Sequence, residues 1–334
     1  MKATVLVVGG AGYIGSHMVK MLLASGCSVV TFDNLSMGHR DAVPGGAFVQ
    51  GDLHSESDLH GVFAAHPVDL VMHFAGSCYV GESVQDPAKY YRNNVAGSLN
   101  LLGAMRHAGV GRLVFSSSCA TYGDPVSSPM DEAHPQRPVN PYGRTKLLVE
   151  KALADYAPAY GLSSIALRYF NAAGADPEGM LGERHEPETH LIPLVLREAL
   201  RVKRGGDLAA SGLRIYGGDF ETADGTCVRD YVHVNDLCRA HLLAGSRLLG
   251  LPHGSCEAYN LGVGRGYSVK EVIELCREIT AIRFRYEVAA RRPGDPASLV
   301  CNAERARRTL GWSPEYPALG EVVETAWRYY QKVA

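Results

Sequence analysis

The sequence has 334 residues, of which 46% are apolar and 20% are charged, so it is neither disordered nor fibrous. At about 150 residues per domain, this length suggests two domains. Lysine and arginine number 33 against 35 acidic residues, and the net charge of −2 offers no broad basic surface to nucleic acid or anionic lipid. We therefore predict no nucleic-acid partner and no membrane partner.

The cysteines and the N-terminus indicate the compartment. The eight cysteines are scattered, without a CxxC pair or metal-ligand spacing, so we interpret them as reduced thiols and predict no metal site. The short apolar run at the N-terminus is followed directly by glycines, and it does not have the pattern of an export signal. No stretch approaches the roughly 20 apolar residues of a membrane span. A cytoplasmic location is expected.

The first half of the chain alternates apolar, β-branched runs with helical patterns. Continuous apolar strands between crossover helices indicate a parallel sheet that is covered on both faces. The predicted strands are Thr4–Val8, Ser28–Phe32, Phe48–Gln50, Leu70–Phe74, Leu113–Ser116 and Ser163–Tyr169; the predicted helices are Tyr13–Ala24, Ser57–Ala65, Tyr90–His107 and Tyr142–Tyr160. The sequence thus predicts an α/β fold with a doubly wound (Rossmann) parallel sheet.

After about residue 171 this alternation ends. A loop rich in glycine, proline and glutamate runs from Ala172 to Thr189, and a helix is expected after Pro193. Later helices are predicted at Asn235–Ser246, Val269–Thr280, Ala303–Leu310 and Val322–Tyr330. We predict a boundary at 171/172, with a smaller mixed α/β lobe over residues 172–334 and some of its segments returning to the main sheet.

A glycine-rich turn follows the first predicted strand. Gly9, Gly12 and Gly15 allow a tight turn and let a pyrophosphate approach backbone amides at a helix N-terminus, where the macrodipole supplies about +0.5 charge. Asp33 ends the second strand, where its carboxylate can accept from an adenosine ribose hydroxyl and would repel a 2′-phosphate. The pattern favours NAD over NADP as a cofactor. A glycine turn without a ligand is the alternative.

Candidate catalytic residues lie on the helix after residue 141 and at the end of the fifth strand. Tyr142 and Lys146 are four residues apart, on one helix face. A cation about 4 Å away, at an effective dielectric near 20, contributes about 4 kcal/mol, or about three pKa units. We expect Lys146 and a nicotinamide cation to bring the pKa of Tyr142 into range for a general acid/base. Ser118 would bond a substrate hydroxyl or relay its proton. A chance YxxxK and a strand-end polar cap are the alternatives.

These motifs occur together in short-chain dehydrogenase/reductases, and the chain resembles the UDP-glucose (UDP-galactose) 4-epimerases of the extended branch of that family. The matching stretches span nearly the whole chain: VVGGAGYIGSH, FDNLS, GDL, HFAG, VGESV, YYRNNVAGS, FSSSCATYGD, NPYGRTK, LRYFNAAGAD, DGTCVRDYVHV, YNLGVG and RRPGDPASLV. The resemblance implies bound NAD, a UDP-sugar substrate and a homodimer. It makes residues 1–171 the NAD-binding domain and residues 172–334 the UDP-sugar-binding lobe.

The resemblance also implies site residues by position. Its NAD contacts fall on Tyr13, Ile14, Asp33, Asn34, Asp52, Leu53, Phe74, Ala75, Asn94, Lys146 and Phe170. Its UDP-sugar contacts fall on Asn171, Leu191, Tyr216, Arg229, Tyr231, Arg292 and Asp295, with Leu299 bordering the sugar beside Ser118 and Tyr142. Arg229 and Arg292 suit a diphosphate, which arginine binds bidentately. Tyr216 is expected to stack on uracil, and Asp295 to accept from ribose hydroxyls.

Three positions depart from the family pattern. Ser77 and Cys78 stand where many relatives carry a lysine, so a cationic cofactor contact is not expected there. His190 stands where some relatives carry asparagine, either to bond a phosphate or as a surface histidine.

The resemblance implies interconversion of UDP-glucose and UDP-galactose through a 4-keto sugar, by oxidation at C4, rotation and re-reduction. Related 4,6-dehydratases carry an Asp-Glu pair after the strand-end Ser/Thr, because eliminating water needs an extra acid and base. Cys119 and Ala120 hold those positions and argue against dehydratase chemistry. Three alternatives remain open: 4-epimerisation of a UDP-pentose, 4-epimerisation of a UDP-N-acetylhexosamine, and a non-catalytic NAD-sensing protein.

Overall fold

The computed structural model describes residues 2–208, 210–292 and 294–333. Its strands are β1 (Thr4–Val8), β2 (Ser28–Asp33), β3 (Ala47–Gln50), β4 (Leu70–His73), β5 (Arg112–Ser118), β6 (Ser163–Tyr169), β7 (Asn171–Ala173), β8 (Arg214–Tyr216), β9 (Val228–His233), β10 (Cys256–Leu261), β11 (Gly266–Ser268), β12 (Glu287–Ala289) and β13 (Ser298–Leu299). Its helices are α1 (Tyr13–Ala24), α2 (Glu56–Ala65), α3 (Val80–Gln85), α4 (Pro87–Tyr90), α5 (Gly97–His107), α6 (Pro141–Tyr160), α7 (Leu191–Lys203), α8 (Val234–Gly250), α9 (Val269–Thr280), α10 (Glu304–Leu310) and α11 (Leu319–Val333).

Seven strands form one parallel sheet in the order β10-β6-β5-β4-β1-β2-β3. The predicted doubly wound α/β fold is confirmed. The chain order changes direction between β1 and β4, so the loops after these two strands leave in opposite directions and open a crevice at the carboxyl edge. Ligands of open α/β sheets bind in such a crevice.

Helices cover both faces of this sheet, which is why its strands are apolar throughout. Val5 and Val7 pack in one core with residues of α1 and α8. Leu6 and Val8 alternate with them and pack in a second core with residues of α2, α5 and α6. Full burial of each such side chain contributes about 1.5–3 kcal/mol, so the sheet is a rigid base for the loops at its edge.

Several helices have bounds that differ from their sequence prediction, and two of these differences lie near the crevice. The expected helix Tyr90–His107 is divided, because a π-helical segment over Tyr91–Ala96 separates α4 from α5. Such segments are frequent at functional sites. The helix expected after Pro193 begins two residues earlier, at Leu191, since proline is tolerated in a first turn whose amides have no partner in the helix.

The smaller lobe is built around a four-stranded sheet. Its central strand β9 pairs with β7, β11 and β13, and β8 pairs with β12. A third core joins this sheet to α7, α9 and α11. The strand β10 and the helix α8, although they follow residue 172, pack with the main sheet. No helix in the described ranges has both the length and the apolar character needed to cross a membrane.

Candidate active site

The glycine-rich turn joins β1 to α1 at the crevice. Gly9 has a φ of +82°, and a Cβ there would lie 2.5 Å from the Ala75 amide nitrogen. A Cβ at Gly15 would lie 2.1 Å from the carbonyl oxygen of Gly9. Gly12 caps α1 without a side-chain hydrogen bond, and its Cβ would meet only the Gly9 oxygen, at 3.4 Å. The first and third glycines permit close packing, and the second leaves the helix N-terminus approachable, which fits a pyrophosphate.

Asp33 lies next to this turn, at the end of β2. Its Oδ2 accepts from the Ala11 amide at 2.9 Å, and its Oδ1 accepts from the Leu35 amide at 2.8 Å. Burial raises the pKa of the carboxyl, and these two amide bonds oppose the rise. A carboxylate has about four lone-pair positions, so capacity remains for ribose hydroxyls.

The other predicted cofactor contacts lie on both sides of Asp33. Asn34 donates to Oδ2 of Asp52 at 2.9 Å, and this bond lowers the pKa of Asp52. Leu53 is buried, and its carbonyl accepts from Asn100 at 2.9 Å. These residues extend the crevice along the carboxyl ends of β2 and β3.

A second group follows β4 and β6. The amides of Phe74 and Ala75 both donate to the Val8 carbonyl, at 2.8 and 3.1 Å. Phe170 is buried beside Leu261, whose carbonyl accepts its amide at 3.1 Å. The structure thus holds both segments by backbone bonds at the carboxyl edge of the sheet.

Asn94, in the π-helical segment, ties three parts of the site together. It accepts from the Ser77 amide at 2.8 Å and donates to the Ser77 carbonyl at 3.0 Å and to Oγ1 of Thr145 at 3.1 Å. These bonds position the segment after β4 against α6.

Tyr142 and Lys146 lie in the first two turns of α6. The side chain of Asn140 caps this helix by accepting from the Gly143 amide at 2.9 Å. Lys146 is buried, donates from Nζ to the Ser116 carbonyl at 2.8 Å and stands 5.9 Å from the centre of the Tyr142 ring. The sequence-predicted pair therefore shares the face of α6 that is turned to the end of β5.

Burial has the largest effect on the pKa values of this pair. Burial lowers the pKa of Lys146 to about 8. Burial also raises the pKa of Tyr142 well above its usual range, the Cys78 thiolate would raise it further, and a hydrogen bond with Ser118 opposes the rise. Burial is the largest of these effects and favours the protonated phenol. The lowering of this pKa by Lys146 together with a nicotinamide cation stays a prediction.

The three consecutive serines at the end of β5 have separate partners. Ser116 bonds the Tyr169 hydroxyl, and Ser117 bonds the buried Glu150. Ser118 accepts from the Ala120 amide at 3.1 Å. It is also the serine of the three that contributes to the electrostatics of Tyr142, whose pKa it lowers.

The predicted UDP-sugar residues gather on β9 and its neighbours. In the pairing register, Leu299 of β13 stands opposite Arg229, and Asn171 of β7 stands opposite Tyr231. Arg229 pairs with Asp295 at 3.5 Å. These residues lie in one small sheet and the loop that leads into β13.

Two further predicted contacts form a stacked pair. The guanidinium of Arg292 lies 4.0 Å from the centre of the Tyr216 ring, and this ring is 36% exposed. Arginine therefore covers the face of Tyr216 in the position expected of uracil, so a base would have to displace the guanidinium or take the other face. Leu191, the last predicted contact, begins α7.

The sequence analysis missed a cluster in the loop before α7. Glu183, His185, Glu188 and His190 converge there, with Nδ1 of His190 2.8 Å from Oε1 of Glu183. Glu183 strongly raises the pKa of His190 against the effect of burial. The signal was available as two histidines and three glutamates within eight residues, at the end of a segment that we interpreted as a loop.

Comparisons with known proteins agree with this geometry. Residues 5–262 match the NAD dependent epimerase/dehydratase family. A UDP-glucose 4-epimerase from Halalkalibacterium halodurans is 48% identical over 328 residues, which cover 98% of this chain and 96% of the relative.

Two solved structures extend the comparison. The UDP-glucose 4-epimerase from Brucella ovis in complex with NAD has a TM-score of 0.91 and 48% identity, covering 98% of each chain. The UDP-Glc/GlcNAc 4-epimerase from Campylobacter jejuni has a TM-score of 0.82 and 37% identity, covering 99% of each chain. The predicted resemblance and the predicted NAD cofactor are confirmed: the chain belongs to the NAD dependent epimerase/dehydratase family.

Proposed function

We propose that this protein is an isomerase that interconverts UDP-glucose and UDP-galactose with the help of bound NAD. The observation that carries the proposal is that Lys146 and Ser118 both lie near Tyr142 at the end of β5, in a chain that matches UDP-glucose 4-epimerases over nearly its whole length. NAD, when bound, supplies a hydride acceptor that later returns the hydride, so the sugar is epimerised without net oxidation.

The chain offers residues suited to hold that cofactor. The amides after Gly12 would receive the pyrophosphate, because the turn leaves this helix end open. Asp33 would accept from the adenosine ribose, with Asn34, Asp52 and Leu53 beside it. Tyr13, Ile14, Phe74, Ala75, Asn94 and Phe170 are proposed as further contacts.

Tyr142 is the proposed general base and acid. Its Oη takes the proton of the sugar 4-hydroxyl when C4 is oxidised, and it returns that proton when the 4-keto sugar is reduced on its other face. Ser118 bonds the same hydroxyl and keeps it near the phenol. Lys146 supplies positive charge, which acts with the charge of the cofactor against the burial that holds the proton on Tyr142.

Binding would be concentrated on the nucleotide. Arg229 and Arg292 are proposed to bind the diphosphate, Tyr216 the uracil and Asp295 the ribose. Asn171, Leu191 and Tyr231 would complete this side of the site. With the UDP held in this way, the hexose needs few fixed contacts, so the 4-keto sugar can rotate and present its other face to the cofactor.

Turnover assays test the proposal directly. The purified protein is incubated with UDP-galactose, UDP-N-acetylgalactosamine or a UDP-pentose, and the products are separated by chromatography. We expect UDP-glucose to form fastest, without added oxidant. Preference for either other substrate would replace the hexose assignment, and NAD binding without any turnover would favour the sensor alternative.

A homodimer and a cytoplasmic location are also proposed. Leu99 on α5 and Leu148 on α6 are 39% and 41% exposed on adjacent helices, which suits an interface between two copies. Light scattering on the wild type and on Leu148→Glu tests the dimer, since the charge should yield monomers. The eight cysteines are scattered along the sequence without a CxxC pair, which supports a reducing compartment. The boundary at 171/172 remains a proposal about where the NAD-binding part of the chain ends.

A further inference from the structure

Two carboxylates and two imidazoles converge in the segment that precedes α7. Glu183, His185, Glu188 and His190 each offer one ligand atom, and these atoms all lie within 4.8 Å of one another. The side chains of Glu183 and Glu188 are only 5% and 1% exposed. Two buried carboxylates side by side repel each other and lack solvation, so positive charge near them, from the imidazoles, from Arg197 or from a bound cation, stabilises the arrangement.

The distances in the cluster suit ligands around one ion. Nδ1 of His190 lies 2.8 Å from Oε1 of Glu183 and 3.2 Å from Oε1 of Glu188, and Nδ1 of His185 lies 3.1 Å from Oε1 of Glu183. In a tetrahedral zinc site with bonds of about 2.0–2.2 Å, neighbouring ligand atoms are about 3.3–3.6 Å apart. Nδ1 of His185 lies 4.0 Å from Oε1 of Glu188, so the observed separations fall on both sides of that spacing, and small side-chain movements would complete the site.

Hydrogen bonds within the cluster do not satisfy all of its atoms. Nδ1 of His185 and Oε2 of Glu188 are buried and make no hydrogen bond, although the Arg197 guanidinium stands 3.8 Å from Oε2. The other oxygen of Glu188 accepts from the amides of Thr189 and His190, at 2.8 and 2.9 Å. The backbone therefore orients this carboxylate while one of its buried oxygens remains available.

We propose that Glu183, His185, Glu188 and His190 bind one Zn²⁺-class divalent cation per chain. Two imidazoles and two carboxylates form a mixed nitrogen and oxygen donor set, which suits zinc, whereas magnesium and calcium prefer oxygen ligands. The double charge of the ion balances the two carboxylates. The sequence prediction of no metal site considered cysteine spacing and gave no weight to this set.

The proposed ion has a structural role. All four ligands lie within eight residues, so one ion would fix the turn that leads into α7 and places Leu191. The rings of His185 and His190 lie 5.8 and 6.1 Å from the Tyr79 ring, next to the segment that Asn94 holds. The ion would therefore support the wall of the crevice from behind, outside the reaction itself, and the proposal stands independently of the proposed function.

Zinc binding by the whole protein tests the proposal. The protein, with its cofactor retained, is treated with a chelator, desalted and titrated with Zn²⁺ by calorimetry, with Mg²⁺ in a parallel titration. We expect one Zn²⁺ per chain and a higher melting temperature, since a ligand of the folded state stabilises it. Co²⁺ in place of Zn²⁺ should give the visible absorption of a tetrahedral site.

Matched variants locate the site. Glu188→Gln preserves shape and removes one charged ligand, and His185→Ala removes an imidazole; each should weaken zinc binding at least about tenfold. The control is the double variant His60→Ala, His107→Ala, which removes an exposed, stacked histidine pair on α2 and α5 whose ring centres are 4.9 Å apart. It should bind zinc as the wild type does.

Two results would overturn the proposal. One is wild-type protein that binds no Zn²⁺ or binds Mg²⁺ equally well. The other is zinc binding that survives in Glu188→Gln and disappears in the control variant. If His185→Ala fails to fold, Glu188→Gln decides, and its zinc-dependent rise in melting temperature should be lost.

Discussion

Ala11 donates its backbone amide to Oδ2 of Asp33 at 2.9 Å, and this buried bond joins the glycine-rich turn to the end of β2. The carboxylate expected to select the dinucleotide is thus also a structural acceptor for the turn that would hold the pyrophosphate. Leu35 donates to the other oxygen at 2.8 Å, so the carboxylate is oriented before any ligand arrives. A change at Asp33 should therefore affect both ends of the cofactor site.

Asp33→Ala is expected to weaken NAD binding about 10–100-fold, the scale of losing a hydrogen bond to a charged acceptor. It should also reduce discrimination against NADP, because the repulsion of a 2′-phosphate disappears. Calorimetric titration of cofactor-stripped protein with both dinucleotides measures the two effects. Asp155→Ala, an exposed change on α6, is the control. Equal affinity of the wild type for NAD and NADP would refute the role of Asp33.

Tyr142→Phe should lower turnover by about 10²–10⁴-fold, the usual contribution of a general acid/base. NAD and UDP should still bind, since the ring and its packing remain. The assay compares the initial rate with UDP-galactose against the affinities for NAD and UDP. Tyr160→Phe, at the exposed end of α6, should keep wild-type rates. Full activity in Tyr142→Phe would remove this hydroxyl from the mechanism.

Leu299→Ser should raise activity toward UDP-N-acetylhexosamines. Leu299 is 9% exposed in β13, opposite Arg229, and a few methylenes in such a site are worth about 1–3 kcal/mol, or about 10–200-fold. The wild type should therefore exclude the N-acetyl group only partly. The measurement is kcat/KM for both substrate pairs, with Leu299→Met as a control of similar volume. An unchanged ratio in Leu299→Ser would show that Leu299 does not border the sugar.

The stability of the protein should fall in mild acid. Burial lowers the pKa of His241 to about 4, and that of His73 to about 3, from a usual value of 6.5. Between pH 6.5 and these values the unfolded chain binds protons that the folded chain does not, so stability is lost as the pH falls. Each such histidine costs about 1.4 kcal/mol at pH 5.5.

His241→Met isolates this effect, because methionine does not titrate. Its melting temperature, relative to the wild type, should rise by about 2 °C between pH 7.5 and pH 5.5. The buried carboxyls of Asp230 and Asp236, whose pKa burial raises to about 6, act in the opposite direction but are common to both proteins. Leu248→Ala should lower the melting temperature equally at both pH values. Parallel profiles for wild type and His241→Met would contradict the prediction.

The sequence predicted the main sheet well because each strand is coded locally. Apolar runs such as Thr4–Val8 and Ser163–Tyr169 became strands with the predicted bounds. The Gly9 and Asp33 signals also depend on short spacing within one βαβ unit. Lys146 and Ser118 met at the sheet edge because parallel strands and their helices bring successive carboxyl-end loops together.

Contacts between segments that are distant in the sequence could not be predicted from its hydrophobic periodicity. The π-helical turn at Asn94 depends on bonds to Ser77 and Thr145, which only the folded chain brings near. Likewise, the Arg168 guanidinium donates to the Tyr122 hydroxyl at 3.0 Å and to the Glu150 carboxylate at 2.5 Å. Burial, which the sequence does not display, raises the pKa of Tyr142, and its lowering by Lys146 together with a nicotinamide cation stays a prediction.

The strand β10 pairs along its whole length with β6, although 86 residues of chain separate Tyr169 from Cys256. During synthesis on the ribosome, the edge of β6 that pairs with β10 therefore stays unpaired until residue 261 has emerged. An open strand edge is a template for pairing with other chains. Expression of residues 1–171 alone should consequently yield an aggregating fragment, whereas a chain ending after α8 and β10 would already possess all seven strands of the sheet.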